Sequence, residues 1–180
     1  MTRAHAEPCG SIRAKAGLVA ILSMGAAMLT LAPAADAACT DAPAPGVVWQ
    51  RCLFDTIKLP NHDLEGANLR EAYFARADLS GSDLSEVDAR RARFINATLR
   101  GVTFDRASLR EADFTKAVLA DASLRDADLR GAQFFRANLR KADLTGARIE
   151  RTTFFEADLS GAIWTDGKTV CAEGSFGRCT

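Results

Sequence analysis

Catalytic motifs, histidine and an excess of either charge are what this sequence lacks. Beyond residue 37 it holds one histidine, His62, and no G-x-S-x-G, glycine-rich phosphate loop or zinc-type Cys/His spacing. Nucleophilic, phosphoryl-transfer and metal chemistry therefore have no carrier that the sequence identifies, and no cofactor is expected. Charge is balanced, with 23 Lys+Arg against 23 Asp+Glu. Setting aside Arg3, Arg13, Lys15, Glu7 and Asp36 leaves 20 basic and 21 acidic residues, 20 − 21 = −1. That balance alone implies no nucleic-acid or membrane partner. The one long apolar run, residues 16–31, is interrupted by Gly25, followed by Pro33, and short of a full membrane span.

That run has another reading. Arg3, Arg13 and Lys15 precede it, and Ala35-Asp36-Ala37 supplies an A-x-A cleavage site, so residues 1–37 read as a secretory signal peptide. Export to the periplasm or the outside of a bacterial cell is the expectation. No membrane contact is expected beyond that segment.

What the sequence has in abundance is a period of five. From Leu64 to Trp164 there are 21 central positions, of which Leu or Phe fills 18, the exceptions being Ala89, Ile149 and Trp164. Two places earlier the residue is small: Ala at 16 of 20 positions, otherwise Ser82, Val87, Val102 and Thr152. A step of five turns an α-helix by roughly 500°, so no helical face forms. An odd step on a flat strand flips the side chain at every repeat. A short extended segment followed by a corner satisfies both facts: Ala67 and Leu69 face in, Asn68 faces out, and the chain turns before Ala72 and Phe74.

The larger period is twenty. Phe74, Phe94, Phe114, Phe134 and Phe154 recur at that spacing, as do Leu79, Leu99, Leu119, Leu139 and Leu159. Four sides per lap, with like side chains stacked from lap to lap, make a square solenoid whose core is buried only by stacking. The A-[D/N]-L-x-x run resembles the pentapeptide-repeat family. The resemblance implies an all-β fold, a right-handed quadrilateral β-helix of about five to six coils. It supplies no single function. The family's best-known members resemble DNA duplexes in shape and charge and bind type II topoisomerases, and most members have no known activity.

Four cysteines remain after the signal: Cys39 and Cys52 before the repeats, Cys171 and Cys179 after them. At roughly 4.8 Å per lap the two pairs lie some 25–30 Å apart. That leaves Cys39–Cys52 and Cys171–Cys179 as the disulfides within reach and separates the thiols too far for a four-cysteine metal site. Each bridge would secure an irregular cap over an end of the solenoid, where core and strand edges are otherwise exposed. The Trp-Thr-Asp-Gly…Cys-Ala-Glu-Gly-Ser…Cys ending resembles that of secreted bacterial pentapeptide-repeat proteins. The expected organisation is an N-terminal cap with an irregular first coil at 38–61, a solenoid at 62–166 and a C-terminal cap at 167–180. His62, inward and near a cap, reads as a packed, hydrogen-bonded residue. Ala89 opposite Val87 reads as a small-for-large exchange that keeps core volume.

Function then falls to the surface. The recurring Asp residues fill outward positions, where they hydrogen-bond the wall rather than form a catalytic pair. Sorting by the period of twenty puts Asp63, Glu65, Asp83, Glu86, Asp105, Asp126, Asp143 and Asp166 on one side with Arg106 and Arg125, and Arg70, Arg90, Arg110 and Arg130 in one column on the next. A third side carries Tyr73, Ile95, Phe135 and Phe155 outward, the candidate patch for a protein partner or for self-association. The expected function is a non-catalytic binding or structural module; the alternatives are a DNA-mimicking topoisomerase inhibitor and an enzyme with a site on the caps.

Overall fold

The computed structural model describes residues 39–180. The signal-peptide segment, residues 1–37, lies outside the described residues. From Val48 to Ile163 parallel bridges link each outward residue to the one twenty places on. They form four walls, each six residues deep. Wall 1 is Val48, Asn68, Asp88, Ser108, Asp128 and Arg148; wall 2 is Leu53, Tyr73, Arg93, Asp113, Gln133 and Thr153. Wall 3 is Lys58, Asp78, Thr98, Val118, Asn138 and Asp158; wall 4 is Asp63, Asp83, Thr103, Ser123, Asp143 and Ile163.

The corners follow from local hydrogen bonding. After Leu69, for example, Arg70 and Glu71 make the bend and Ala72 N–H returns to the Leu69 carbonyl at 3.0 Å. The second corner residue has positive φ in every unit from Arg51 to Asp126, whether Gly, Glu, Arg, Lys, Asn, Asp or Thr stands there. Type II turns require that conformation, and a non-Gly residue adopts it at a cost of order 1–2 kcal/mol. The ladder offsets the cost, because the same N–H bonds the next lap, as Glu71 N–H does to the Arg90 carbonyl at 2.9 Å. Glycine leaves room where a neighbouring side chain folds over the corner. A Cβ at Gly81 would overlap Asn61 Oδ1, and one at Gly146 would overlap Asp126 Oδ1.

The Asp/Asn before each central residue also has a defined task. Its Oδ1 accepts the N–H of the first corner residue, as Asp78 does from Ser80 at 3.0 Å and Asp113 from Thr115 at 2.9 Å. The same bond recurs at Asp63, Asn68, Asp83, Asp88, Asp128, Asn138, Asp143 and Asp158. A short side-chain acceptor at this place satisfies the first corner N–H, which has no backbone partner.

Inside, the phenylalanines form one continuous column. Phe74, Phe94, Phe114, Phe134 and Phe154 stack at centroid spacings of 5.3, 5.1, 4.8 and 5.2 Å, and Phe54 extends the column by one ring at 5.2 Å. Those spacings are close to the distance between hydrogen-bonded strands, about 4.7–4.9 Å. Phe104, on the opposite wall, meets Phe94 and Phe114 edge-on at 5.8 and 6.0 Å. Ala89 and Val87 are fully buried in the same region. From position 64 to 144, Phe104 is the one aromatic ring in a column otherwise made of Leu64, Leu84, Leu124 and Leu144.

Two exceptions to alanine have a polar reason. Ser82 is buried; its hydroxyl donates to the Leu59 carbonyl at 2.7 Å and accepts the His62 N–H at 3.0 Å. It thereby bridges a corner that has no direct Leu59–His62 turn bond. Thr152 Oγ1 donates to the Leu129 carbonyl at 2.7 Å, a second bond to a carbonyl that already accepts the Ala132 N–H. Ser82→Ala should cost roughly 1–3 kcal/mol, because two backbone groups near the core lose their partner. Urea unfolding of the variant measures it; an unchanged midpoint would show that the direct turn bond takes over.

The first coil differs from expectation. The ladder already runs through Val48, Leu53 and Lys58, so residues 47–61 form the first three walls and only residues 39–46 lie before them. Cys52, Ile57 and His62 replace the small residue, yet backbone N–H and C=O groups make the rungs whatever the side chain. Pro60 takes the first corner position, where its fixed φ fits. At the N-terminal end Cys39 is bonded to Cys52 (Cα–Cα 5.4 Å), and Trp49, 1% exposed, donates its indole N–H to the Asp41 carbonyl at 3.3 Å. At the other end Cys171 is bonded to Cys179 (Cα–Cα 4.8 Å), and the chain folds back antiparallel, Val170 against Ile163 and Phe176 against Asp158.

Candidate functional site: the solenoid surface

With the bore filled by side chains, recognition falls to walls and corners. Phe135 and Phe155 are successive first corner residues after wall 2. Their rings stack at 5.9 Å with an interplanar angle of 6°, and the Arg136 guanidinium lies 5.0 Å from the Phe135 centroid. Phe155 is 61% exposed. Ile95 occupies the same corner two laps earlier, with Thr115 between. Tyr73 is not in that column. It stands on wall 2 above Leu53 and beneath Arg93, whose guanidinium lies 5.9 Å from the Tyr73 ring centroid. The four candidate residues therefore divide into the Phe135–Phe155 pair with Ile95, and Tyr73 apart. Leu53, 79% exposed below Tyr73, was missed by sequence reasoning, although its outward place follows from the frame Cys52-Leu53-Phe54.

The arginine column is a row of first corner residues after wall 1, and it is partly neutralised within its own units. Arg90 folds back on Asp88 through Nε and a terminal nitrogen at 2.7 and 2.6 Å. Arg130 does the same on Asp128. Second corner residues of successive laps pair opposite charges: Arg51 with Glu71, Arg91 with Glu111, Arg106 with Glu86, Arg136 with Glu156. The acidic side is interrupted likewise, since Arg106 holds Glu86 and Arg125 holds Asp143. Exposed pairs of this kind contribute little each, and their effect is to flatten the field of the surface.

Several wall carboxylates are held ionised. The Ser80 hydroxyl and N–H keep Asp78 below the usual carboxylate range, and the Arg90 and Arg130 guanidiniums do so for Asp88 and Asp128. Thr169 and Lys168 hold Asp166 down at about 2. Each of these groups is lower in the folded than in the unfolded chain. Its contribution is therefore present above the ordinary Asp value of 3.8 and lost as pH falls toward the folded value. The melting temperature should be level from about pH 7 to 5 and fall between about pH 4 and 2. Thermal melts followed by circular dichroism measure this, and a level profile down to pH 2 would refute it.

A model of the pentapeptide repeat region matches residues 47–134 and again 88–173. The chain belongs to the pentapeptide-repeat family. The quadrilateral β-helix is right-handed, as in that family. HetL, a pentapeptide repeat protein involved in heterocyst differentiation regulation in the cyanobacterium Nostoc sp. strain PCC 7120, is 28% identical, with a TM-score of 0.51 over 68% of this chain and 64% of HetL. The chain thus matches less than two thirds of HetL's length. Rfr23 from the cyanobacterium Cyanothece 51142 is 26% identical over 58% of this chain and 82% of that one, with a TM-score of 0.47. QnrB1, a plasmid-mediated fluoroquinolone resistance protein, is 21% identical over 64% and 69%, with a TM-score of 0.47. No curated protein matches.

Proposed function

We propose that this pentapeptide-repeat protein is a non-catalytic binding module of the exported compartment that docks a protein partner through Phe135 and Phe155. The observation that carries the reading is the pair of stacked rings held out at successive corners, Phe155 being 61% exposed. Aromatic side chains with an arginine beside them are typical binding anchors, and burying both rings removes a large apolar area from water. The wall carboxylates support a non-catalytic role, because each is engaged with the corner or arginine next to it. Two disulfides suit an oxidising compartment.

The test is crosslinking in the producing cell followed by mass spectrometry of the protein and its neighbours. A crosslinked neighbour should be present with the native chain and lost with Phe135→Ser/Phe155→Ser. A native chain without neighbours, or a variant that keeps them, refutes the docking site. The same spectra should show a chain starting at Ala38 if the leader is removed as proposed. DNA mimicry has less support, since ion pairs break up the acidic side and guanidiniums line the next corner. Inhibition in a supercoiling assay would reverse that preference.

A further inference from the structure

The last lap is covered unevenly. Over walls 3 and 4 the returning chain continues the ladder: Leu159, Gly161 and Trp164 donate their N–H groups to Ser175, Cys171 and Thr169. Over wall 1, the following corner and the start of wall 2 it does not. One lap earlier Leu129 and Gly131 donate to Arg148 and Glu150, and Phe134 to Thr153. The equivalent N–H groups of Ile149, Arg151 and Phe154 donate no hydrogen bond among the described residues. The returning chain reaches only as far as Gly177, which packs over the Phe154 carbonyl and Glu156. Beside the open donors is a cleft of about 290 Å³, with Ile149, Phe154 and Trp164 as its apolar part and Thr169 and Arg178 at its margin.

We propose that this end of the solenoid binds an extended peptide segment of a partner protein, one carrying an apolar side chain next to a carboxylate. The segment would lie across wall 1, the following corner and the start of wall 2 as a further rung. A row of free N–H groups facing one way asks for a row of carbonyls at strand spacing, which a peptide backbone supplies and a lipid or single anion does not. The cleft beside them takes the apolar side chain. Charge selects the flanking residue: neither Arg151 nor Arg178 has an ion pair among the described residues, whereas Glu150 lies by Arg130 in the arginine column. The site adjoins the Phe135–Phe155 corner, since Phe155 follows Phe154 in the chain, but it uses the backbone edge and the cleft rather than those two rings.

An acetylated, amidated peptide copying residues 77–86, Ala-Asp-Leu-Ser-Gly-Ser-Asp-Leu-Ser-Glu, is a suitable probe. Amides of Ile149, Arg151 and Phe154 should exchange freely in the protein alone and slow at least about tenfold at saturating peptide. Emission from Trp164, in the cleft, should shift, while that of the buried Trp49 at the opposite end should not. Arg178→Glu should weaken the peptide about fivefold and Arg100→Glu, on another corner, should leave it unchanged. Absence of added protection, or equal binding of a peptide with both leucines replaced by serine, overturns the proposal. So does concentration-dependent association of the protein alone that protects the same three amides, which would put a second copy in the place of the peptide.

Discussion

Deletion of the single residue Gly101 should leave little folded protein, whereas deletion of the twenty residues 97–116 should leave a folded, shorter one. Every unit places two residues inward and one between them outward. Removing Gly101 moves all later residues forward by one. Thr103 and Asp105 then take inward positions, followed by Ser108 with Arg110 and by Asp128 with Arg130. Burying one unpaired charge costs several kcal/mol, and a domain's whole stability is roughly 5–15 kcal/mol. The alternative, absorbing the loss in one corner, breaks a turn bond and the rungs beside it. Removing one full lap does neither. Asn96 joins Ala117, the unit continues Ala-Val-Leu, Phe134 stacks on Phe94, and each disulfide stays within its own end. The lap deletion should melt cooperatively at reduced temperature with a β-type circular dichroism spectrum. A Gly101 deletion melting as cooperatively as the lap deletion would contradict the square winding itself.

The architecture was legible because the solenoid repeats one environment. A Phe at 94 and a Phe at 114 occupy equivalent places, so the core reads directly as a period in the sequence. The cap disulfides were legible for a related reason: the length of the stack separates the cysteine pairs. What the period could not reveal is where one residue does a different task from its equivalents. Ser82 and Thr152 look like tolerated substitutes for alanine, yet each bonds a carbonyl of the preceding lap. The first lap looked irregular because Cys52, Ile57 and His62 break the small-residue rule, although the rungs depend on backbone alone. The period puts Arg70, Arg90, Arg110 and Arg130 in one column but does not show that two of the four fold back on Asp88 and Asp128, two positions before them in their own units. The open edge at Ile149, Arg151 and Phe154 is set by how far the returning chain reaches, and no repeat encodes that.

Phe114→Ala should be the most destabilising single substitution short of a charge in the bore. Phe114 is fully buried, with stacked neighbours on both sides at 5.1 and 4.8 Å and Phe104 edge-on at 6.0 Å. A buried Phe→Ala change costs about 3–5 kcal/mol, and more where the cavity cannot collapse. Here collapse is resisted. The rungs hold the walls one strand spacing apart at Arg93–Asp113 and Asp113–Gln133, so neighbouring rings cannot close the gap without breaking ladder bonds. The loss should also cut cooperativity, because in a stack each lap is stabilised through its nearest neighbours. Phe155→Ser gives the internal comparison: a ring of the same kind, largely in water, whose removal should change stability by no more than about 0.5 kcal/mol. Urea unfolding of the two variants measures the difference. Equal midpoints would mean that the phenylalanine column does not hold the laps together.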